Sequence, residues 1–570
     1  MQEALEWRSI RVDRQGAEDL AVACGVPLAV AEVLTARGFQ EAEEVERFFH
    51  PRLQALSDPF VFKDMERAVE RIWLAKARQE QVVVLGDYDV DGVCSTALMI
   101  RMLRSLGLRV EAVIPDRVKE GYGFTLAVLD RVVEPHAPTL CITVDCGTNS
   151  VEAVKRASAL HMDVIVTDHH QPAAERAEPF AMLNPKLELL EEQQVLCGAG
   201  MAFKLMHGVI KRGREQGDRL SEEVDLRSVL DLVGLATVAD MVPLTGENRI
   251  FVRHGLEQMA RSQWRGVQAL LKQVKAAGAP TCGMCGFQLG PRLNAAGRMR
   301  SAEEALRLLV SDDAVECAQL AGELDRLNEE RRLLERRIYE EAVLQLEERK
   351  ATMRSGLVCS DRGWHHGVMG IVASRISRQF RRPAVLLTIE SDDSAKGSAR
   401  GVEGFDLLGA LEVCSPFLER FGGHRLAAGL TVKPGEVEAF SAAFEEAAAE
   451  QLGDRELPAV LAIDAWVEKD LLDASFHDAM KDMAPFGEAF REPVFAITGA
   501  RIVGEPRVMG GKHLRLSLDW RGQRLSAVAF NVGLDEIPAG QLAVAFTFEE
   551  NIWQGRTSYQ LNVRGMKPAL

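Results

Sequence analysis

The chain has 570 residues, 47% hydrophobic and 27% charged, which is too long for one core and ordinary for a soluble protein of three or four domains. Its apolar runs, such as Val82–Leu85 and Val164–Val166, are strand-sized and far too short to cross a bilayer, and the acidic start MQEALEWRSI does not read as a signal peptide. A net charge of −16 excludes a uniformly basic surface but not a local basic groove, because a metal site concentrates carboxylates and exposed helices carry Glu-rich faces.

Residues 1 to about 60 read as a mostly helical lead-in. From Gln81 short β-rich runs alternate with helical stretches. Val82–Leu85 reads as a buried strand, followed by a turn and a helix from about Val93 to Leu106, closed by Gly107. Further strands are expected at Arg109–Ile114, Leu140–Val144, Met162–Thr167 and Phe180–Leu183. Alternation of this kind predicts a parallel sheet flanked by helices. Cys282 and Cys285 form a C-x-x-C, but zinc needs two more ligands and no second pair exists, so they read as unlinked thiols. The ten scattered cysteines fit reduced thiols in a cytoplasm.

Ser311 to about Lys350 predicts one long helix, with Ser311 as N-cap and Asp312 and Asp313 in its first turn. Its apolar stripe runs through Leu320, Leu324, Leu327, Leu334 and Ile338. At ~1.5 Å per residue it spans roughly 55 to 60 Å, and its stripe loses the coiled-coil pattern at Arg331, so it reads as a connector between domains. A second α/β segment follows from about 356 to 451. The tail from about 457 to 570 has short alternating runs, Leu514–Leu518 and Leu525–Phe530 among them, with a hairpin loop at 551–555, and predicts a small β-barrel. The expected division is 1–60, 61–260, 261–350, 351–455 and 456–570.

Chemistry is concentrated where strands end. Val82–Gly86 runs into Asp87, Asp89 and Asp91; Cys141–Val144 runs into Asp145; Asp163–Thr167 runs into Asp168, His169 and His170. In an open parallel sheet ligands bind beyond the carboxyl ends of the strands, so three strands deliver acids and imidazoles to one edge. A lone D-x-D is usually a solvated turn and a His-His pair a surface feature. Gathered together, these carboxylates would repel strongly unless a cation neutralised them, and oxygen ligation with one or two imidazoles suits Mn²⁺ or Mg²⁺ better than Zn²⁺.

Asp168-His169-His170 resembles the signature of the DHH phosphoesterase superfamily, Asp87–Gly92 its first motif and Val144–Gly147 its second. Thr237–Leu244 resembles the fourth, and Pro291–Arg298 is similar to a segment typical of the RecJ family. Trp364–Arg375, Lys396–Arg400 and Gly422–His424 resemble the DHH-associated domain. The resemblance runs from about residue 60 to the end of the chain. It implies an α/β architecture: a parallel-sheet DHH domain joined by the long helix to a smaller α/β DHH-associated domain, plus a C-terminal OB-fold β-barrel.

The resemblance further implies a metal-dependent 5′→3′ exonuclease on single-stranded DNA, serving repair and recombination, with two divalent cations, Mn²⁺ or Mg²⁺. Asp145 would bridge them, Asp87 and Asp89 would serve one, and Asp91, His169 and Asp240 the other. His170 would face the scissile phosphate. Arg298, Ser398 and Arg400 would hold the terminal 5′ phosphate, with His424 reaching the substrate across the cleft. In the barrel Lys512, His513, Arg515, Trp553 and Arg556 are candidates for single-strand contacts. Glu488–Pro493, after Pro485-Phe-Gly487, departs from the family's glycine and Asn-Pro, which puts strand contacts by that loop in doubt. A monomer is expected, with a helicase and a single-strand-binding protein as family partners and no membrane. Two other readings stay open: a phosphodiesterase of the same superfamily for short oligonucleotides or cyclic dinucleotides, which would lack the barrel, and a catalytically silent replication scaffold, which would have lost ligands that this chain keeps.

Overall fold

The computed structural model describes residues 5–116, 120–121, 123–188, 194–276, 278–349, 355–453, 460–553 and 556–569. Five strands, β2 (Gln81–Leu85), β3 (Arg109–Val113), β4 (Leu140–Val144), β5 (Asp163–Thr167) and β6 (Ala181–Leu183), form an all-parallel sheet in the order β3-β2-β4-β5-β6. Side chains alternate to two cores. Val82, Val84, Ile142 and Ile165 face one, and Val83, Leu85, Cys141 and Val166 the other. Burial on both faces is why the central runs of β2, β4 and β5 are continuously apolar, whereas the edge strand β3 exposes Arg109 and Glu111. The order reverses between β2 and β4, so the crevice beyond their carboxyl ends is the switch point where such sheets bind ligands.

The helix after β2 begins at Val90, three residues earlier than expected, because Asp89 is its N-cap: its carboxylate accepts from the amides of Asp91 and Gly92 at 3.0 and 3.1 Å. The connector helix is Ala314–Glu348, and its cap is Asp313, not Ser311; the Asp313 carboxylate accepts from Val315 and Glu316 amides. Its first half (Cys317, Ala321, Leu324, Leu327) buries into the first domain's core. Its second half (Ile338, Ala342, Leu346) buries into that of the next domain. One helix shared by two cores is the expected connector.

The second domain has a five-stranded sheet of β7 (Leu357–Asp361), β8 (Ala384–Ile389), β9 (Ala395–Arg400), β10 (Leu418–His424) and β11 (Ala427–Val432), ordered β10-β11-β9-β8-β7. The C-terminal region holds β12 (Val460–Ile463), β13 (Ala465–Trp466), β14 (Phe495–Ile502), β15 (Arg507–Met509), β16 (His513–Trp520), β17 (Gln523–Phe530), β18 (Leu542–Trp553) and β19 (Arg556–Pro568). Pairing of β14 with both β18 and β16 closes a ring β14-β16-β17-β19-β18 in which only β17 and β19 run parallel. This closed five-stranded barrel is an OB-fold.

The lead-in is helical at Arg14–Cys24, Leu28–Ala36 and Ala42–Phe49, and it also contributes β1 (Glu6–Ser9), which pairs in parallel with β12. Its Leu20, Val30, Leu34 and Phe49 share a core with Phe476, Phe495 and Phe546 of the barrel region. The two ends of the chain are therefore one packed body. Arg249, 3% exposed, bolts this body to the first domain: it donates to the carbonyls of Phe48, Met483, Ala484 and Pro485 at 2.8–3.0 Å. The divergent loop sits in the same joint. Phe490 is buried against Phe48 and Phe486, Ala489 takes the left-handed φ of +58°, and Glu488 accepts from the Leu244 amide. Among the described residues no single helix is long and apolar enough to cross a membrane.

Candidate metal centre

The three neighbouring strands β2, β4 and β5 end side by side, and their following residues converge. Asp145 follows β4 with a φ of +59°, fixed by its amide donating to Thr167 at 2.9 Å. Its carboxylate is 2% exposed, and its Oδ1 is buried without a hydrogen bond. His169 Nε2 lies 3.1 Å from that oxygen, 3.7 Å from Asp91 and 3.6 Å from Asp240. Asp91 and Asp240, with His169, and Asp145, with His169 and His170, form two groups whose ligand atoms cluster tightly enough for an ion. Asp91 comes from the first turn of the Val90–Ser105 helix. Both its oxygens also accept amides at the start of the Gly198–Glu215 helix, Gly198 at 2.6 Å and Ala199 at 2.8 Å. Asp240 caps the end of the Leu230–Ala239 helix.

The gathered acids cannot all stay charged side by side unless a cation or protons neutralise them. Burial, then Asp91, Asp89 and Asp87, pushes Asp145 well above the usual carboxylate range. Burial and Asp89 raise Asp91 to about 6, and burial with Asp91 and Asp89 raises Asp240 to about 8. Burial lowers His169 to about 3, leaving a neutral imidazole suited to ligation. An orphaned buried oxygen, neutral imidazole and mutually repelling carboxylates fit one or two hard divalent ions. Asp87 and Asp89 stand at the same edge, but in this structure Asp87 accepts from the Tyr88 amide and Asp89 caps its helix. Neither belongs to the two tight groups.

His170 differs from its neighbour. Its Nδ1 lies 2.8 Å from Asp168, and this hydrogen bond, against the effect of burial, raises it to about 9. Asp168 would be raised by burial. The hydrogen bonds from His170, Thr148 and its own following amides hold it below the usual range instead. Asp168 thus stays an anion that orients the His170 ring through Nδ1, and His170 carries the positive charge of the pair. Sequence reasoning passed over Asn184 and Lys186. Asn184, fully buried, donates to Thr148 Oγ1 and the His170 carbonyl, and the half-buried Lys186 feels Asp168 and Asp240. The signal was present: both follow β6, a fourth strand ending in polar residues.

A second set lies across the cleft. Pro291–Arg298 falls on the Gly290–Met299 helix, where Asn294 accepts from the Val90 amide at 3.1 Å and Gly297 abuts the Tyr88 carbonyl. Arg298 donates to the Gly367 carbonyl at 3.3 Å, at the start of the His366–Phe380 helix. Arg400 and Ser398 lie over Gly370, where a Cβ would come within 2.8 and 3.4 Å of them. Arg400 donates to Ser374 Oγ at 3.0 Å, and burial lowers its pKa. His424 is exposed on β10, in one rank with Ala427 and Arg400 across the sheet, so all three share a face. In the barrel Lys512 and Arg515 are exposed. His513 accepts from the Asn531 amide and packs on Phe530, while the side chains of Trp553 and Arg556 lie outside the described residues. All ten cysteines, Cys282 and Cys285 included, are free thiols.

Three family models match the chain: the DHH family N-terminal domain over residues 81–237, the DHHA1 domain over 354–450 and the RecJ OB domain over 463–565. The single-stranded-DNA-specific exonuclease RecJ of Bacillus subtilis (strain 168) is 34% identical, over 98% of this chain and 70% of that protein. The protein of that name from Dickeya dadantii is 34% identical (95% and 96% covered), and that of Escherichia coli K12 32% (all of both chains). Among solved structures, RecJ in complex with Mn²⁺ from Thermus thermophilus superposes with a TM-score of 0.83 at 29% identity. That match covers 100% of this chain and 80% of the other. The Mg²⁺ complex from the same source gives 0.77 at 28% identity, with the same coverage.

Proposed function

The chain belongs to the RecJ family of single-stranded-DNA-specific exonucleases, and from that membership and its own site we propose how it works. It is a metal-dependent hydrolase of single-stranded DNA that uses Mn²⁺ or Mg²⁺. Two ions would be held with Asp145 shared between them, Asp91, His169 and Asp240 serving one and Asp87 and Asp89 the other. When bound, such ions lower the pKa of a water and stabilise the leaving oxygen. His170, charged through Asp168, donates Nε2–H to the scissile phosphate or the departing oxygen, and Asn184 holds the His170 carbonyl in place. Arg298, Arg400 and Ser398 grip the terminal 5′ phosphate, and His424 reaches the strand from the same face of the sheet as Arg400.

On this reading residues 61–260 carry the metals, 351–455 the terminal phosphate and 456–570 the trailing strand, through Lys512, Arg515 and Trp553. The enzyme works from 5′ to 3′ and releases 5′-mononucleotides, as a cytoplasmic monomer in repair and recombination beside a helicase and a single-strand-binding protein. The observation that supports this best is the placement of Arg298. Its helix touches the metal loop through Asn294 and Gly297, and the phosphate-gripping helix through Arg298 itself. A terminus gripped there ends one short step from the metals.

The test is digestion of single strands labelled at either end, with Mn²⁺. Label should leave the 5′ end first, 5′-phosphorylated strands should outcompete 5′-hydroxyl ones, and Arg400→Ala should lose that preference by roughly 1.5 to 3 kcal/mol while keeping metal affinity. Efficient cutting of a circular single strand would overturn the terminal grip.

A further inference from the structure

Away from the metals, the segment between the Leu230–Ala239 and Gly290–Met299 helices exposes an aromatic ring. Phe287 is 85% exposed, although its neighbours Cys285 and Leu289 are buried. It borders a cavity of about 430 Å³ whose charged lining is wholly cationic, Lys275, Arg292, Arg331 and Arg332, in a chain of net charge −16. Arg292 and Arg331 are braced by Asp325 and Glu335 at 2.7 and 3.0 Å, so their guanidinium groups are held in place. Lys275 is exposed, and the Arg332 side chain, 59% exposed, pairs at 3.4 Å with the equally solvated Glu329, which lies outside the cavity lining and can be exchanged for a phosphate. A solvated phenylalanine beside cations, with no carboxylate in the lining, matches single-stranded nucleic acid: a ring for a base and charges for the backbone.

Position strengthens the match. Phe287, Pro291, Asn294 and Arg298 are spaced by four, three and four residues, which keeps them near one helical face. Arg298 lies at the second domain and Asn294 at the metal loop. Phe287 is next in line, on the order of 10 Å beyond Asn294 at 1.5 Å per residue. Gly286 and Gly290 pack on Val238 and Ala239, just before Asp240. The geometry points to a strand-holding subsite in which Phe287 stacks on a base two to three nucleotides downstream of the scissile bond, while Lys275 and Arg332 meet the phosphates. This rests on the exonuclease reading above and adds the path that the uncut strand takes out of the site.

The full-length enzyme, with Mn²⁺ and 5′-phosphorylated strands of two to twelve nucleotides, tests it. KM should fall once strands are long enough to reach Phe287. Phe287→Ala should abolish that fall, raising KM for long strands roughly tenfold, within the range of a lost base stack. Phe287→Trp should restore it and Phe287→Leu should not. Lys275→Ala with Arg332→Ala should flatten the salt dependence of single-strand binding by about 1.4 in log–log slope, at about 0.7 per phosphate. Equal KM for Phe287→Ala and wild type at every length, or restoration by leucine as well as tryptophan, overturns the subsite. Failure of the wild type to digest any strand would instead bring down the activity on which the subsite rests.

Discussion

Replacing Gly198 by alanine should disable the metal centre without touching any ligand. Gly198 opens the Gly198–Glu215 helix, and a Cβ there would lie 2.7 Å from Asp145 Cβ and 2.9 Å from its Oδ1. Ordinary carbon contacts need about 3.5–4.0 Å, so roughly 1 Å must be found. The helix cannot easily yield: its first turns are buried, and its amides hold Asp91 at 2.6 and 2.8 Å. The Asp145 backbone is tied to Thr167, so its side chain moves, or Asp91 moves with the helix. A displacement of about 1 Å costs on the order of 100-fold in rate, equivalent to about 2.7 kcal/mol. Overpacking costs about 1–3 kcal/mol of stability, less than a typical total, so the protein still folds. Single-turnover digestion, calorimetric Mn²⁺ titration and thermal melting read the three quantities separately. Gly200→Ala is the control, since its Cβ would meet nothing closer than 3.5 Å. Wild-type turnover and Mn²⁺ affinity in Gly198→Ala, or equal damage from Gly200→Ala, would refute the reasoning.

Asp145→Asn should abolish hydrolysis while leaving the metal-free protein at least as stable, because it removes one member of a repelling buried cluster; melting with chelator beside activity with Mn²⁺ checks both. His170→Ala should lower turnover more than Mn²⁺ affinity. A collapse of affinity without a separate chemical defect would make this imidazole a ligand. Arg249→Ala should cost about 3–5 kcal/mol, since it strands four carbonyls in the joint between the first domain and the barrel body, and urea titration would reveal it as a large loss of stability.

The sequence by itself determined the parts of the site that depend on local pattern. An apolar run ending in an acid places that acid at a sheet edge whatever else the chain does, so Asp87, Asp145 and His169 were legible from strand periodicity alone, and the motifs named the family. The connector was legible for the same reason, because a stripe at helical spacing needs only neighbours in sequence. Helix starts were less so: Asp89 and Asp313 take the cap positions through side-chain hydrogen bonds that neighbouring polar residues could equally have made. Only the tertiary structure decided relations between distant segments. Asp168 stays charged although buried because Thr148 and His170 converge on it. Gly198 matters because Asp145, 53 residues earlier, closes on it. Phe490 turned inward from the divergent loop because Phe48 and Arg249 meet it there, while Glu488, Ala489 and Arg491 stay exposed. These pairings are set by burial and hydrogen-bond satisfaction between segments far apart in the chain, and no local periodicity encodes them.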